Sequence, residues 1–569
     1  MSSQRHSAVS ATYLFSLGSD SRSGMTGANP IDDVSRRTVL IADKDNHSLR
    51  DLRVALTQIG FDVGEASTMD EITSPYISQV DCGFGRFGGV GNRWKGRSFY
   101  VITTLSKRVM AAERAAFLMT ECNQKAFSFA SHFSRRVEAS FTAGQVSTDG
   151  GALLLRQADR KIGLLERVAC CFTDRRSPLL VEHRLGEMLS QRIYGLALGY
   201  EDLNDHEQLR HDPLMALLSG RRRLEEPLAG KSTLNRLELV GGSKRYHKID
   251  YTAEKIDALL CDLFIESHSD VPDQIVLDLD ATDIPLYGHQ PERFFHGYYD
   301  SYCYLPLYIF AGDQLLCARL RASNVDGAAG ALDEVRRIVS QLRAKWPKVR
   351  IVLRGDSGFC REELMAWCEA EQNQVDFLFG MARNSRLQKI IGKQMHEARR
   401  LHAETGKAAR VFTQFDFTTR KSWARGRRVV AKAEYLDKGE NPRFVVTSLG
   451  ADQWPARELY EKFYCQRGEM ENRIKEQMCL FAYRLSTEEM RGNQLRLYLS
   501  ALAYTLVEAL RRLALKGTDW AEAQVDTIRL KLFKIGALVR ISARRVWLEL
   551  SSTYPWKLIY ERAFDALRC

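Results

Sequence analysis

The stretch from residue 273 to 381 constrains this chain most, because short apolar runs there alternate with longer segments of helical period. Ile275-Val276-Leu277-Asp278-Leu279-Asp280 reads as a strand. Tyr304–Phe310 and Leu315–Leu320 read as two more, joined by Ala311-Gly312-Asp313, a hairpin turn. The pattern predicts a helix over 326–344, a fourth strand over Val349–Leu353, a helix over 361–371 and a fifth strand over Phe377–Met381. A three-strand meander followed by helix, strand, helix and strand predicts an α/β fold with a mixed sheet.

Acidic residues stand where such a sheet exposes its ends. Asp278 and Asp280 share one face of the first strand by the period of two. Asp356 closes the fourth strand, with Gly355 and Gly358 permitting tight backbone bends. Downstream, Tyr464, Arg467, Glu471 and Lys475 are spaced by three and four and share one helical face. Singly, each has an ordinary reading: a strand-end Asp caps a turn, and a face of Glu, Arg and Lys is a solvated ladder. Their order is what points to chemistry. The strand order is that of an RNase H-like domain, which takes one carboxylate from its first strand, one from the end of its fourth and one from a later helix. Two-metal phosphodiester chemistry needs carboxylates that hold divalent ions about 3.5–4 Å apart. Magnesium takes oxygen ligands and keeps several waters, so three acids suffice.

The flanks read differently. Residues 1–36 are rich in Ser, Gly and Arg, without periodicity, and are expected to be disordered. Residues 38–68 resemble the opening strand–helix–strand of a response-regulator receiver domain, with Asp43 and Asp45 near its acidic pair. That resemblance stops after about a third of such a domain, too little apolar surface to fold alone. Gly83, Gly85 and Gly88 match a GxGxxG pattern, but no strand precedes them and no helix follows. Gly230-Lys231-Ser232-Thr233 lacks the earlier glycine of a phosphate loop, position 225 being Glu, and reads as a helix start. Residues 1–118 are therefore expected to be a leader outside the working protein, and 119–270 a helical DNA-binding region. The RNase H-like core is expected at 271–381 and 450–485, a β-rich insertion at 382–449, and a C-terminal helical region at 486–569.

Four segments carry a family resemblance. Leu277–Asp283, Phe294–Tyr299, Arg354–Phe359 and Glu471–Glu476 resemble the DDE transposases of the 1380 family of bacterial insertion sequences. That family lies in a wider group with a Tyr-x2-Arg-x3-Glu signature. The resemblance implies an RNase H-like core, cut-and-paste transposition, and catalytic, metal-holding roles for Asp280, Asp356 and Glu471. It implies Mg2+ or Mn2+, two ions, as cofactor. DNA is the implied partner, both transposon-end inverted repeats and target, met by a homodimer in the synaptic complex. Tyr464, Arg467 and Lys475 match phosphate-contacting positions. One departure is Met478, where the wider group often has Lys.

Charge suits that partner. The chain carries 82 Lys+Arg against 71 Asp+Glu, a net charge of +11. Residues 381–435 hold fourteen of those cations and four acids. Within them Arg420 and Lys421 flank Trp423, a pattern suited to a single strand or a flipped base, or to a tip that packs locally. No apolar run reaches the roughly 18 residues of a membrane span, and the scattered cysteines are read as reduced, cytoplasmic thiols; the resemblance implies a bacterial cytoplasm, beside the nucleoid. Two other readings stay open: an RNase H-like nuclease that does not transpose, and a DNA-binding response regulator.

Overall fold

The computed structural model describes residues 38–42, 62–65, 100–103, 126–239 and 248–568. They fall in two compact units, Met1–Phe141 and Thr142–Cys569. In the first, β1 (Thr38–Ala42) pairs in parallel with β2 (Asp62–Glu65) and antiparallel with β3 (Tyr100–Thr103). There too, β4 (Phe127–His132) and β5 (Arg135–Ala139) form a hairpin. The helix expected after Asp45, that acidic pair itself and the glycine run at 83–88 lie outside the described residues.

The second unit opens with helices, among them α1 (Leu153–Ile162), α2 (Leu185–Leu198) and α3 (Ala253–Glu266). A nine-stranded sheet follows. Its members are β6 (Gln274–Ala281), β7 (Leu307–Ala311), β8 (Gln314–Arg319), β9 (Arg350–Gly355) and β10 (Val375–Met381), then β11 (Ala409–Phe417), β12 (Arg427–Leu436) and β13 (Arg443–Thr447), with a two-residue strand at 439–440. The spatial order is β8-β7-β6-β9-β10-β13-β12-β11. β6 is antiparallel to β7 and parallel to β9, and β9 is parallel to β10. This is the meander-then-crossover order expected from the sequence.

Alternation sorts the side chains. Leu277, Leu279, Ile309, Leu353, Phe377 and Phe379 face a layer built by α4 (Ala331–Lys345) and α5 (Glu362–Glu369). The intervening residues Val352 and Leu378 face Leu459, Tyr460 and Phe463. Asp278 and Asp280 therefore point toward the segment that carries Glu471. β9 and β10 are covered on both faces, which is why they read as unbroken apolar runs. Leu497, Leu499, Leu502 and Leu506 of α8 (Met490–Leu510) are fully buried, as expected of a helix apolar all round. α7 (Gly468–Cys479) precedes it.

Residues 382–449, expected to be β-rich, begin with two helices, one of them α6 (Gly392–Thr405), before β11, β12 and β13; β13 pairs with β10, so these strands widen the central sheet. From 456 to 479 the chain is helical throughout, as a short α turn, a π segment at Leu459–Tyr464, a 3-10 turn at Cys465–Arg467, and then α7. Where the register changes, Arg354 Nη1 donates to the Phe463 carbonyl at 2.6 Å, a side-chain contact of the kind found at such irregularities.

The same guanidinium donates from Nε and Nη2 to both Asp278 carboxylate oxygens, at 2.5 and 2.7 Å, with both side chains 6% exposed. Arg354 thus ties β6, β9 and the π segment together. Replacing Arg354 with Met should cost about 3–5 kcal/mol in urea unfolding, because Asp278 is left buried and unpaired. The Asp278→Asn/Arg354→Met double variant should recover a large part of that loss; no recovery would mean the pair is not the origin of the cost.

Candidate active site

Asp280 is next to last in β6, and the Ala281 N–H donates to its Oδ1 at 2.9 Å. Asp356 leaves β9 and caps the turn Ser357–Phe359, its Oδ1 accepting from Gly358 N at 2.8 Å. Glu471 lies in the first turn of α7. Arg467 stands between them, with Nη2 2.9 Å from Glu471 Oε1 and Nη1 3.5 Å from Asp280 Oδ2. The Asp280 side chain is 15% exposed and that of Glu471 is 50% exposed.

Electrostatics bind these groups into one cluster. The Asp280 carboxyl is pushed up to about 7, first by burial and then by the charges of Asp356 and Glu471, with Arg467 and the Ala281 N–H opposing. Burial works against the Arg467 charge, yet Asp280, Tyr464, Glu471 and Asp356 together hold its guanidinium above its ordinary value. The Tyr464 hydroxyl is raised by burial and by Asp356, against Arg467.

The three carboxylates offer oxygen donors, which suit a hard divalent cation such as magnesium. Among the described residues, no three His, Cys, Asp or Glu side chains are gathered as a formed metal cluster. Arg467 places a positive charge between Asp280 and Glu471.

The other sequence candidates divide. Tyr464 and Arg467 join the cluster. Lys475 is exposed on α7 and makes no ion pair among the described residues. Met478, at the position of the missing Lys, packs against the helical core. Asp278 is committed to Arg354.

Trp423, Arg420 and Lys421 are not brought to the carboxylates. Leu378 pairs with Thr447, Thr447 with Arg428, and Arg428 with Asp416. That register carries the tip of the β11–β12 hairpin toward the N-terminal ends of β9 and β10, whereas Asp356 leaves the C-terminal end of β9. Trp423 packs edge-on against Phe417 at 5.9 Å, and the Arg427 guanidinium lies 5.3 Å from its ring centre. Arg427 is itself held by Glu362 and Glu369. Arg420 and Lys421 are exposed and make no ion pair among the described residues.

Sequence reasoning missed two residues. Arg354 was readable: on a strand buried on both faces, the period of two points it to the Asp278 side. Gly380 in β10 was not. A Cβ there would lie 2.5 Å from Tyr464 Oη, 2.9 Å from Ser357 N and 3.1 Å from the Asp356 carbonyl carbon. The bare backbone of Gly380 lets the Asp356–Ser357 peptide and the Tyr464 hydroxyl close over β10.

The family model described as transposase DDE domain group 1 matches residues 129–569. No curated protein matches the chain. Among solved structures, it is similar to the cryo-EM structure of the piggyBac transposase synaptic complex with hairpin DNA, at 11% identity and a TM-score of 0.35, over 68% of this chain and 80% of that one.

Gly380→Ala should destabilise the protein by about 1–3 kcal/mol in urea unfolding, as overpacking does. Adding Tyr464→Phe removes the nearest atom and should return part of that loss. An unchanged midpoint for Gly380→Ala would mean the contact is looser than described.

Proposed function

This chain belongs to the transposase DDE domain group 1 family, and on that premise we propose that it cuts and joins DNA in the cut-and-paste transposition of an insertion sequence of the 1380 family. The observation that carries the reading is that Arg467 joins Asp280 to Glu471 beside the strand end that Asp356 leaves, in a sheet ordered β8-β7-β6-β9-β10. That order supports an RNase H-like core at 271–381 and 450–485, with 382–449 as its β-containing extension. In this reading residues 119–270 and 486–569 hold DNA, and 1–118 are a leader outside the working enzyme; the family match, which begins at residue 129, supports the last point.

Asp280, Asp356 and Glu471 would hold two Mg2+ or Mn2+ ions. When bound, such ions supply Lewis acidity at the attacking and leaving oxygens of a phosphodiester. The chain's own residues do the rest. Asp280 and Asp356, on adjacent strands of a rigid sheet, fix the spacing of the donors. Arg467 keeps Glu471 beside Asp280 and balances carboxylates that would otherwise repel. Half-exposed Glu471 is the group able to pass a proton to solvent as water attacks phosphorus and the 3′ oxygen leaves. The freed 3′-OH then attacks a second phosphodiester, in the opposite strand or in target DNA, and the number of phosphodiester bonds is conserved in that step. Tyr464, Arg467 and Lys475 are assigned to phosphate contact. The partners in this reading are transposon-end and target DNA, and a second copy of the chain in the synaptic complex. Among the described residues no helix is long and apolar enough to cross a membrane.

Asp280→Asn, Asp356→Asn and Glu471→Gln should each lower magnesium-dependent cleavage of DNA carrying the element's ends by more than about 10²-fold, with end binding nearly unchanged in gel shifts. A variant that cleaves like wild type would remove its residue from the set. If about six phosphates are neutralised, affinity for duplex DNA should fall roughly 10³-fold between 50 and 200 mM salt. A flat salt dependence would contradict a phosphate-contacting role for the basic surface.

A further inference from the structure

Residues 284–304 fold beside Asp280 as a three-stranded sheet of Ile284–Pro285, Phe294–His296 and Ser301–Tyr304. Its surface is unusual. Tyr287 is 95% exposed, Tyr298 84% and Phe295 54%. Aromatic side chains seldom stand out in water unless something covers them. One cation stands among them: the Arg293 guanidinium lies 4.7 Å from the Tyr302 ring centre, and its Nη2 is 3.1 Å from His289 Nδ1.

The patch is continuous with the carboxylates. Tyr298 packs edge-on against Tyr299 at 4.9 Å, and the Tyr299 hydroxyl donates to the Ala281 carbonyl at 3.3 Å. Burial pushes that hydroxyl up to about 12, with Asp283, Asp280, Tyr298 and Asp356 adding to the shift. On the far side a cleft of about 770 Å3 opens between residues 285–291 and 483–488.

Backbone features bracket the exposed run. Glu292 and Asp300 take left-handed conformations, with φ of 59° and 51°. Gly297, between His296 and Tyr298, has neither a positive φ nor a neighbour within 4 Å of a built Cβ. The fold does not require glycine there, and a bare backbone at that point leaves room for a molecule from outside.

We propose that Tyr287, Phe295 and Tyr298, with Arg293, form a platform on which unstacked nucleobases of a DNA strand lie as that strand enters the Asp280 site. A paired duplex keeps its base faces covered, so exposed rings beside a guanidinium suit a single strand or an unpaired end. The platform rests on the transposase reading for its biological role, whereas binding can be measured without any cleavage.

The test uses the full chain and a fluorescent dT20 oligonucleotide in EDTA, with a 20-bp duplex of arbitrary sequence in parallel. Tyr298→Ala should weaken dT20 binding by about fivefold or more and the duplex by less than about twofold, since stacking is lost base by base. Tyr298→Phe should bind like wild type, because the ring and not the hydroxyl makes the contact. Gly297→Val should weaken dT20 binding at an unchanged melting temperature. Equal losses for dT20 and duplex, or none for either, would overturn the platform. So would self-association of the chain that Tyr298→Ala abolishes while dT20 affinity stays intact. Cleavage of end DNA by wild type, lost in Asp356→Asn, tests the transposase reading separately. Tyr298-dependent dT20 binding without any cleavage would sink that reading and leave the platform standing.

Discussion

The buried pair of Arg354 and Asp278 sets the frame in which the carboxylates meet. Two charges removed from water this completely are tolerated only with good geometry and further hydrogen bonds. Here both carboxylate oxygens are engaged and a third guanidinium nitrogen reaches the Phe463 carbonyl. Asp280 lies two residues after Asp278, Asp356 two after Arg354, and Glu471 eight after Phe463. One guanidinium therefore holds the three chain segments that deliver the three acids. Arg354 occupies both oxygens of Asp278, so the two acidic residues on one strand face have different partners, Arg354 and Arg467.

Much of this was legible in the sequence because the sheet is regular. Strands β7, β9 and β10 are covered on both faces, and short unbroken apolar runs bounded by turn residues reveal such elements. Asp356 was legible too, as an acid set between Gly355 and Gly358 at a strand end. What escaped was not periodic. The change of helical register at 459–467 lies where Arg354 reaches Phe463 across 109 positions of sequence, and no local propensity encodes that contact. Gly380 escaped for a related reason: a glycine in a strand announces a close approach, but not which atoms approach.

The basic stretch at 381–435 shows how composition and placement differ. Its excess of cations suggested one nucleic-acid surface. In the fold Arg427 and Arg425 are spent on Glu369, Arg410 and Lys432 on Glu434, and Arg428 on the carbonyls of Leu449 and Trp454. Much of the charge fastens the added strands to the sheet and to α5. Arg420 and Lys421 stay exposed, at the end of the sheet away from Asp356.

Arg467 sets how α7 sits against the sheet. Its guanidinium bridges Asp280 on β6 and Glu471 on α7, so the two acids approach each other across a cation that the chain itself carries. Loss of Arg467 would leave two like charges facing one another, and α7 would swing outward from the strand end.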